Sequence, residues 1–263
     1  MLKNYVISLA NAHERRTHVT QEFGQKGVNF EFFDAITPEQ INDLAVKFGL
    51  NITNANLTKG ELACLFSHVS LWQKAIDENL DYIAIFEDDV YLGENADYFL
   101  NDDGWIPEEC EVIKLEKFSN YCSTKKTPII IQERQINIIK EMHLGASGYI
   151  LSQNICQYLL GYIKNSNPII AVDHILFENI LNDNTHKIYQ MKPALCIQSD
   201  RLHSVQKVFK STLEDDRRIR INKLIIKPNK SQKIRIEIMR IFKQIRSIIP
   251  NIKRKIFDGL EFL

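Results

Sequence analysis

The chain has 263 residues, of which 44% are hydrophobic and 25% charged. That balance allows one large α/β domain with an appendage, or two small domains, and excludes wholesale disorder. Basic and acidic residues number 33 each, but residues 201–263 hold 17 Lys and Arg against 6 Asp and Glu, a split that suggests an anionic partner for the C-terminal end, a membrane surface or a nucleic acid.

Residues 5–9 form a short apolar run and predict a buried first strand. A helix follows over about 11–25, and residues 30–33 predict a second strand. Thr37-Pro38-Glu39-Gln40 has the grammar of a helix start, with Thr37 as cap, Pro38 in the first turn and Gln40 reaching back. Thr58-Lys59-Gly60-Glu61 is a second capping box. The helix behind it sets Leu62, Leu65, Phe66, Val69, Trp72 and Ile76 on one stripe and ends near Glu78. Residues 82–86 are a continuous apolar strand that runs into Glu87-Asp88-Asp89. Further strands are expected around 112–115, 129–131, 148–151 and 188–191, with helices at 153–164 and 172–181. Strands that alternate with helices predict a mainly parallel, doubly wound sheet.

Beyond about Lys207 the composition changes. Ile234, Ile238, Ile241, Ile245 and Ile248 recur every three or four residues, beside Lys233, Arg240, Lys243 and Arg246. This predicts a basic amphipathic helix and divides the chain into a domain over 1–206 and a tail over 207–263. The five cysteines, Cys64, Cys110, Cys122, Cys156 and Cys196, are odd in number and none pair as C-x-x-C. A disulfide framework is therefore not expected, and a reducing cytosol is. No apolar stretch is long enough to span a bilayer, and the opening run is too short for a signal-peptide core.

The strongest chemical signal is the strand that ends in three carboxylates. Ligands of parallel α/β sheets bind beyond the carboxyl ends of the strands. Three acids there repel one another, and a hard cation such as Mg²⁺ or Mn²⁺ relieves the cost and neutralises a diphosphate. In an extended segment Glu87 and Asp89 point one way and Asp88 the other. A solvated acidic loop fits the tripeptide alone equally well. The second signal is the helix over 60–72, where His68 lies at the edge of the apolar stripe with Ser67 beside it. Helical geometry by itself favours a core-edge histidine with one hydrogen bond.

Together these pieces resemble glycosyltransferase family 25, the lipooligosaccharide galactosyl- and glucosyltransferases related to the collagen galactosyltransferases. The resemblance rests on Gly60-Glu61, Cys64, Ser67-His68 and Trp72, followed by the apolar strand and Glu87-Asp88-Asp89. Val6-Ile7-Ser8-Leu9 with Arg15-Arg16, Phe33-Asp34-Ala35, the segment from Gly145 through Ser147 and Tyr149 to Ser152, and Val172-Asp173 extend it over roughly 3–205. Ala10-Asn11 lies slightly off the family's pattern.

The resemblance implies a GT-A-type, Rossmann-like nucleotide-binding fold and an inverting transfer of galactose or glucose. The expected donor is UDP-galactose or UDP-glucose, the acceptor a lipooligosaccharide sugar, and the linkage β-1,4. It places Ser8, Arg15 and Asp34 near uridine or diphosphate, with Ser67, His68, Gly145 and Ser147 also on the donor side. Glu87 and Asp89 are the expected metal ligands, with His203 as a third and Gln198 and His174 behind it. Inversion needs a base to take the acceptor's proton. Asp173 is the first candidate, although an Asp before an apolar helix also serves as an N-cap, and Asp88 is the rival. A membrane glycolipid acceptor agrees with a tail that contacts anionic lipid, so the expected place is cytoplasmic, on the inner face of the inner membrane. Packing of the tail on the domain, or on a second copy, is the other reading, and no nucleic-acid fold is recognisable. A metal-dependent phosphohydrolase or nucleotidyltransferase would use the same acidic strand end.

Overall fold

The computed structural model describes residues 1–183, 185–202 and 259–263. The predicted isoleucine stripe of the tail lies outside these residues. Along the chain come β1 (Lys3–Ser8), α1 (His13–Gln25), β2 (Glu31–Asp34), a 3-10 turn (Pro38–Gln40), α2 (Ile41–Phe48) and α3 (Lys59–Asp77). Next are β3 (Tyr82–Glu87), β4 (Val90–Leu92), α4 (Ala96–Leu100), β5 (Val112–Lys114), β6 (Ile129–Ile131) and β7 (Arg134–Ile138). Then follow β8 (Gly148–Ser152), α5 (Gln153–Asn165) and α6 (Val172–His174), which runs through a π-helical turn (Ile175–Asn179) into α7 (Ile180–Asp183). The described order ends with β9 (Ile188–Lys192), β10 (Cys196–Gln198) and α8 (Ser199–Leu202).

Eight strands form one sheet in the order β2-β1-β3-β8-β5-β9-β7-β6, and β10 pairs with β4 in a small second sheet. The pairings give β2, β1, β3, β5, β9 and β6 a common direction, with β8 and β7 reversed. The α/β architecture with a mostly parallel sheet is thus the one that the alternating pattern predicts. Sequence could not show the reversal of β8 between β3 and β5, because a strand buried on both faces reads as the same apolar run in either direction.

Both faces of the sheet are covered. On one face Ile83, Ile85, Tyr149 and Leu151 pack with α2, α3 and α5, through residues such as Leu65, Trp72 and Leu159. On the other face Val6, Ala84, Phe86 and Ile150 pack with Val19, Phe23 and Phe99 of α1 and α4. The alternation of neighbours within β3 and β8 is the period-two signature of strands. Both capping boxes form. Glu61 N–H donates to Thr58 Oγ1 at 3.1 Å while Thr58 N–H donates to Glu61 Oε2 at 2.9 Å, and Thr37 N–H donates to Gln40 Oε1 at 2.8 Å.

The last five residues of the segment assigned to the tail lie on the domain. Leu260 is buried in the α3 face core, and its N–H donates to Asn120 O. Ala194 N–H donates to Glu261 O, and Leu263 O accepts from Glu94 N–H and from Arg134 Nη2. Position 93 must be glycine for this approach, since a Cβ there would lie 2.0 Å from Leu263 O. No helix among the described residues is long and apolar enough to cross a membrane.

Candidate active site

Three neighbouring strands bring their carboxyl ends together. Ser8 lies opposite Asp34 across β1 and β2, and Ile7 lies opposite Glu87 across β1 and β3. The chain then turns through Asp88 and Asp89 into β4. Alternation across that turn separates the three acids. Asp88, nearly buried, accepts from Ser8 Oγ at 2.6 Å through Oδ2 and from Arg15 Nη1 at 2.5 Å through Oδ1. Glu87 and Asp89 share the other side, where the Gln198 amide donates to Glu87 Oε2 at 3.1 Å and to Asp89 Oδ1 at 3.4 Å. Ser199 N–H holds Asp89 O at 2.8 Å, and Glu87 N–H donates to Ser147 O at 3.0 Å.

The electrostatics of this edge are strained in one direction. Burial pushes the Glu87 carboxyl up to about 8, with Asp89, Glu116 and Asp88 adding repulsion. Burial also pushes Asp89 up to about 6, although Arg15, 3.7 Å away, pulls the other way. Burial works against the charge of Arg15, but Asp88, and then Asp89 and Glu87, outweigh it and keep the guanidinium a firm cation. The donor set is all oxygen, with more negative charge than Arg15 can balance. That fits a hard divalent cation on Glu87 and Asp89.

Arg16 forms the second basic contact of this edge. It pairs with the exposed carboxylate of Asp34, donates to Ser8 O and Leu9 O at 3.1 Å, and lies over the Phe32 ring. Ser67 is buried, accepts from Ile36 N–H and donates to Ala63 O, both at 2.9 Å, and so ties the loop after β2 to α3. His68 is also fully buried. Its Nδ1 meets the Tyr149 hydroxyl at 2.6 Å, and Trp72 Nε1 donates to the same oxygen at 3.3 Å. Ser67 and His68 therefore stand behind the strand ends, buried from the solvent-facing edge.

Gly145 has φ +90°, and a Cβ there would lie within 2.6 Å of a Glu116 carboxylate oxygen. Gly148 is required by Cys196, whose Sγ would lie 2.2 Å from a Cβ. Glu116 is fully buried, pairs with Lys114 Nζ at 3.2 Å and accepts from Ser147 N–H at 3.1 Å. Its Oε1 and the Ser147 hydroxyl have no hydrogen-bond partner among the described residues. Lys114 also donates to Gly145 O and sits over the Phe177 ring. Sequence reasoning missed Lys114 and Glu116. The available signal was two charges at alternate positions of the otherwise apolar 112–116 stretch.

Asp173 lies in the first turn of α6, whose N-cap is Ala171, and its Oδ1 accepts from His174 N–H at 3.0 Å. His174 pairs instead with Glu178 at 2.5 Å. His203 lies outside the described residues.

The profile of glycosyltransferase family 25 (LPS biosynthesis protein) matches residues 1–176. The lipooligosaccharide biosynthesis protein lic2B of Haemophilus influenzae is 38% identical over 97% of this chain and 96% of its own length. The lacto-N-neotetraose biosynthesis glycosyltransferase LgtE of Neisseria gonorrhoeae is 36% identical over 82% of each chain. Among solved structures, a glycosyltransferase involved in glycosylation of the major capsid of PBCV-1 aligns with a TM-score of 0.44 at 10% identity, over 84% of this chain and 98% of its own. By the profile match and by these relatives, the chain belongs to glycosyltransferase family 25.

Proposed function

We propose that the chain transfers a hexose, galactose or glucose, from a UDP-sugar to a sugar of a lipooligosaccharide acceptor, with inversion and formation of a β-1,4 linkage. The observation that carries this reading is the convergence of Glu87 and Asp89 on Gln198 at the carboxyl edge of the sheet, with Arg15 beside them. Relatives named for lipooligosaccharide and lacto-N-neotetraose biosynthesis support a glycan acceptor. On the GT-A-type plan that the family resemblance implies, the uridine and diphosphate lie over the ends of β1, β2 and β3.

Glu87 and Asp89 would hold Mn²⁺ or Mg²⁺, with His203 as the third ligand. Such an ion supplies charge neutralisation for the departing diphosphate. Arg15, held by Asp88 and 3.7 Å from Asp89, adds a fixed cation at the same strand edge. Asp88 has each oxygen engaged, by Ser8 and by Arg15, which suits it to hold Arg15 rather than to take a proton. We therefore assign the base to Asp173, the position that the family resemblance implies, whose Oδ1 accepts from the adjacent His174 N–H. It would accept the acceptor hydroxyl's proton as that oxygen attacks the anomeric carbon and the bond to UDP breaks. Gly145 and Ser147, both buried, would back the donor-sugar side, and Ser67 and His68 would likewise act from behind as positioning residues. The basic tail would hold the enzyme on anionic lipid at the cytoplasmic face of the inner membrane, where a glycolipid acceptor resides.

The test is to incubate the full chain with UDP-galactose and UDP-glucose, with and without Mn²⁺, against defined lipooligosaccharide acceptors. A glycoside and UDP formed only with the cation are expected. Turnover independent of metal, or free phosphate or a nucleotidyl adduct without glycoside, would overturn the reading.

A further inference from the structure

Behind the proposed hard-metal pair lies a second set of donors of different chemistry. Cys64 and His68 stand four residues apart on α3, which places them on one helix face. Glu87 ends β3 and faces the same space. One ligand atom from each of Cys64, His68 and Glu87 lies within 4.8 Å of the other two. His68 Nε2 is buried and has no hydrogen-bond partner among the described residues, while its Nδ1 is fixed by the Tyr149 hydroxyl. A ring nitrogen held by an outer partner, with the other left bare, is how proteins prepare a metal-binding histidine.

We propose that Cys64, His68 and Glu87 form a binding site for Zn²⁺, separate in chemistry from the hard-cation site. A thiolate, an imidazole and a carboxylate are a zinc donor set, whereas Mg²⁺ and Mn²⁺ prefer oxygen alone. A tetrahedral Zn²⁺ with these ligands needs donor atoms about 3.5 Å apart. The present spacing of up to 4.8 Å asks each side chain to close by roughly 1 Å or less. Cys64 and Glu87 are only partly buried, so the space opens towards solvent. Binding sends the Cys64 thiol proton to solvent and leaves the fourth position to water.

The site has a consequence for transfer that rests on the proposed function. Glu87 stands between the two metal chemistries. Zn²⁺ on Cys64 and His68 draws its carboxylate away from Asp89, so Zn²⁺ becomes an inhibitor that excess Mn²⁺ does not mimic.

The experiment titrates Zn²⁺ alone into the full, nucleotide-free chain against a chromophoric chelator, and uses Co²⁺ for an absorption spectrum. One equivalent of Zn²⁺ and a near-ultraviolet sulfur-to-cobalt band are expected. Cys64→Ser should abolish the band and weaken Zn²⁺ at least about tenfold, the smallest loss seen even for an outer-shell partner. Glu87→Gln should weaken Zn²⁺ while keeping the band. Melting curves of each variant confirm that it folds. Equal Zn²⁺ affinity in Cys64→Ser, or a sulfur band that survives it, would overturn the site. A second arm adds Zn²⁺ to the transfer assay, where Cys64→Ser should need at least tenfold more for inhibition. Zn²⁺ bound through Cys64 without inhibition of the wild type would leave this site standing and remove Glu87 from the transfer reading.

Discussion

At the scale of single residues, the acids at the end of β3 divide their work by direction. Asp88 turns to Ser8 and Arg15, and Glu87 and Asp89 turn to Gln198. Asp89→Asn or Glu87→Gln should lower kcat at least about a hundredfold, because charge neutralisation by a metal is worth several kcal/mol. The same changes should raise the melting temperature of the metal-free chain by removing repulsion. Calorimetry beside the activity assay checks both directions. Asp173→Asn should lower kcat by about 10²–10⁴-fold. Its Mn²⁺ affinity, read by calorimetric titration, should stay that of the wild type.

The same carboxyls set a pH dependence. Folding raises Glu87 to about 8 and Asp89 to about 6, so the folded chain holds protons that the unfolded chain has already released. Their contribution to stability is therefore lost as pH rises from the ordinary carboxylate range through those values. Without a divalent cation the melting temperature should fall across that window, and Glu87→Gln should flatten the slope. Mn²⁺ should raise the melting temperature more at the alkaline end, where less proton release is needed for binding. A slope of the same steepness in Glu87→Gln would remove Glu87 as its source.

At the scale of elements, α3 is a brace. Its capping box fixes where it starts, and Ser67, His68 and Trp72 fix how it lies on β8 and on the loop after β2. The Tyr149 hydroxyl is the shared partner of His68 and Trp72 in that brace. Tyr149→Phe leaves the Trp72 indole N–H and one nitrogen of His68 buried without their oxygen, which costs about 1–3 kcal/mol. Urea unfolding should show that loss as a shifted midpoint with an unchanged slope. The motif was legible from 60–72 because helix caps and apolar stripes are short-range. Its partner was not, because nothing local to α3 names the strand that covers it.

At the scale of the whole molecule, residues 259–263 return to the domain. Leu260 joins the core, and Arg134 gathers the carbonyls of Glu94, Pro193, Ala194 and Leu263. Leu260→Ala should destabilise the chain by about 2–3 kcal/mol through the lost burial and the cavity left behind. Equilibrium unfolding of the variant measures it. An unchanged stability would show that this return contributes nothing to the fold.

The amino-acid order alone carried the α/β class, most strand and helix positions, both capping boxes and the acidic strand end. These follow from periodicity, capping and turn chemistry, all of which act over a few residues. It did not carry the reversed direction of β8, the short strands β4, β7 and β10, or the buried Lys114–Glu116 pair. Nor did it show that Gln198 bridges two acids more than a hundred residues earlier, or that Cys64 and His68 face Glu87. Those are contacts between distant segments. They exist only once the sheet has chosen its strand order and the helices have closed over it, so only packing in three dimensions sets them.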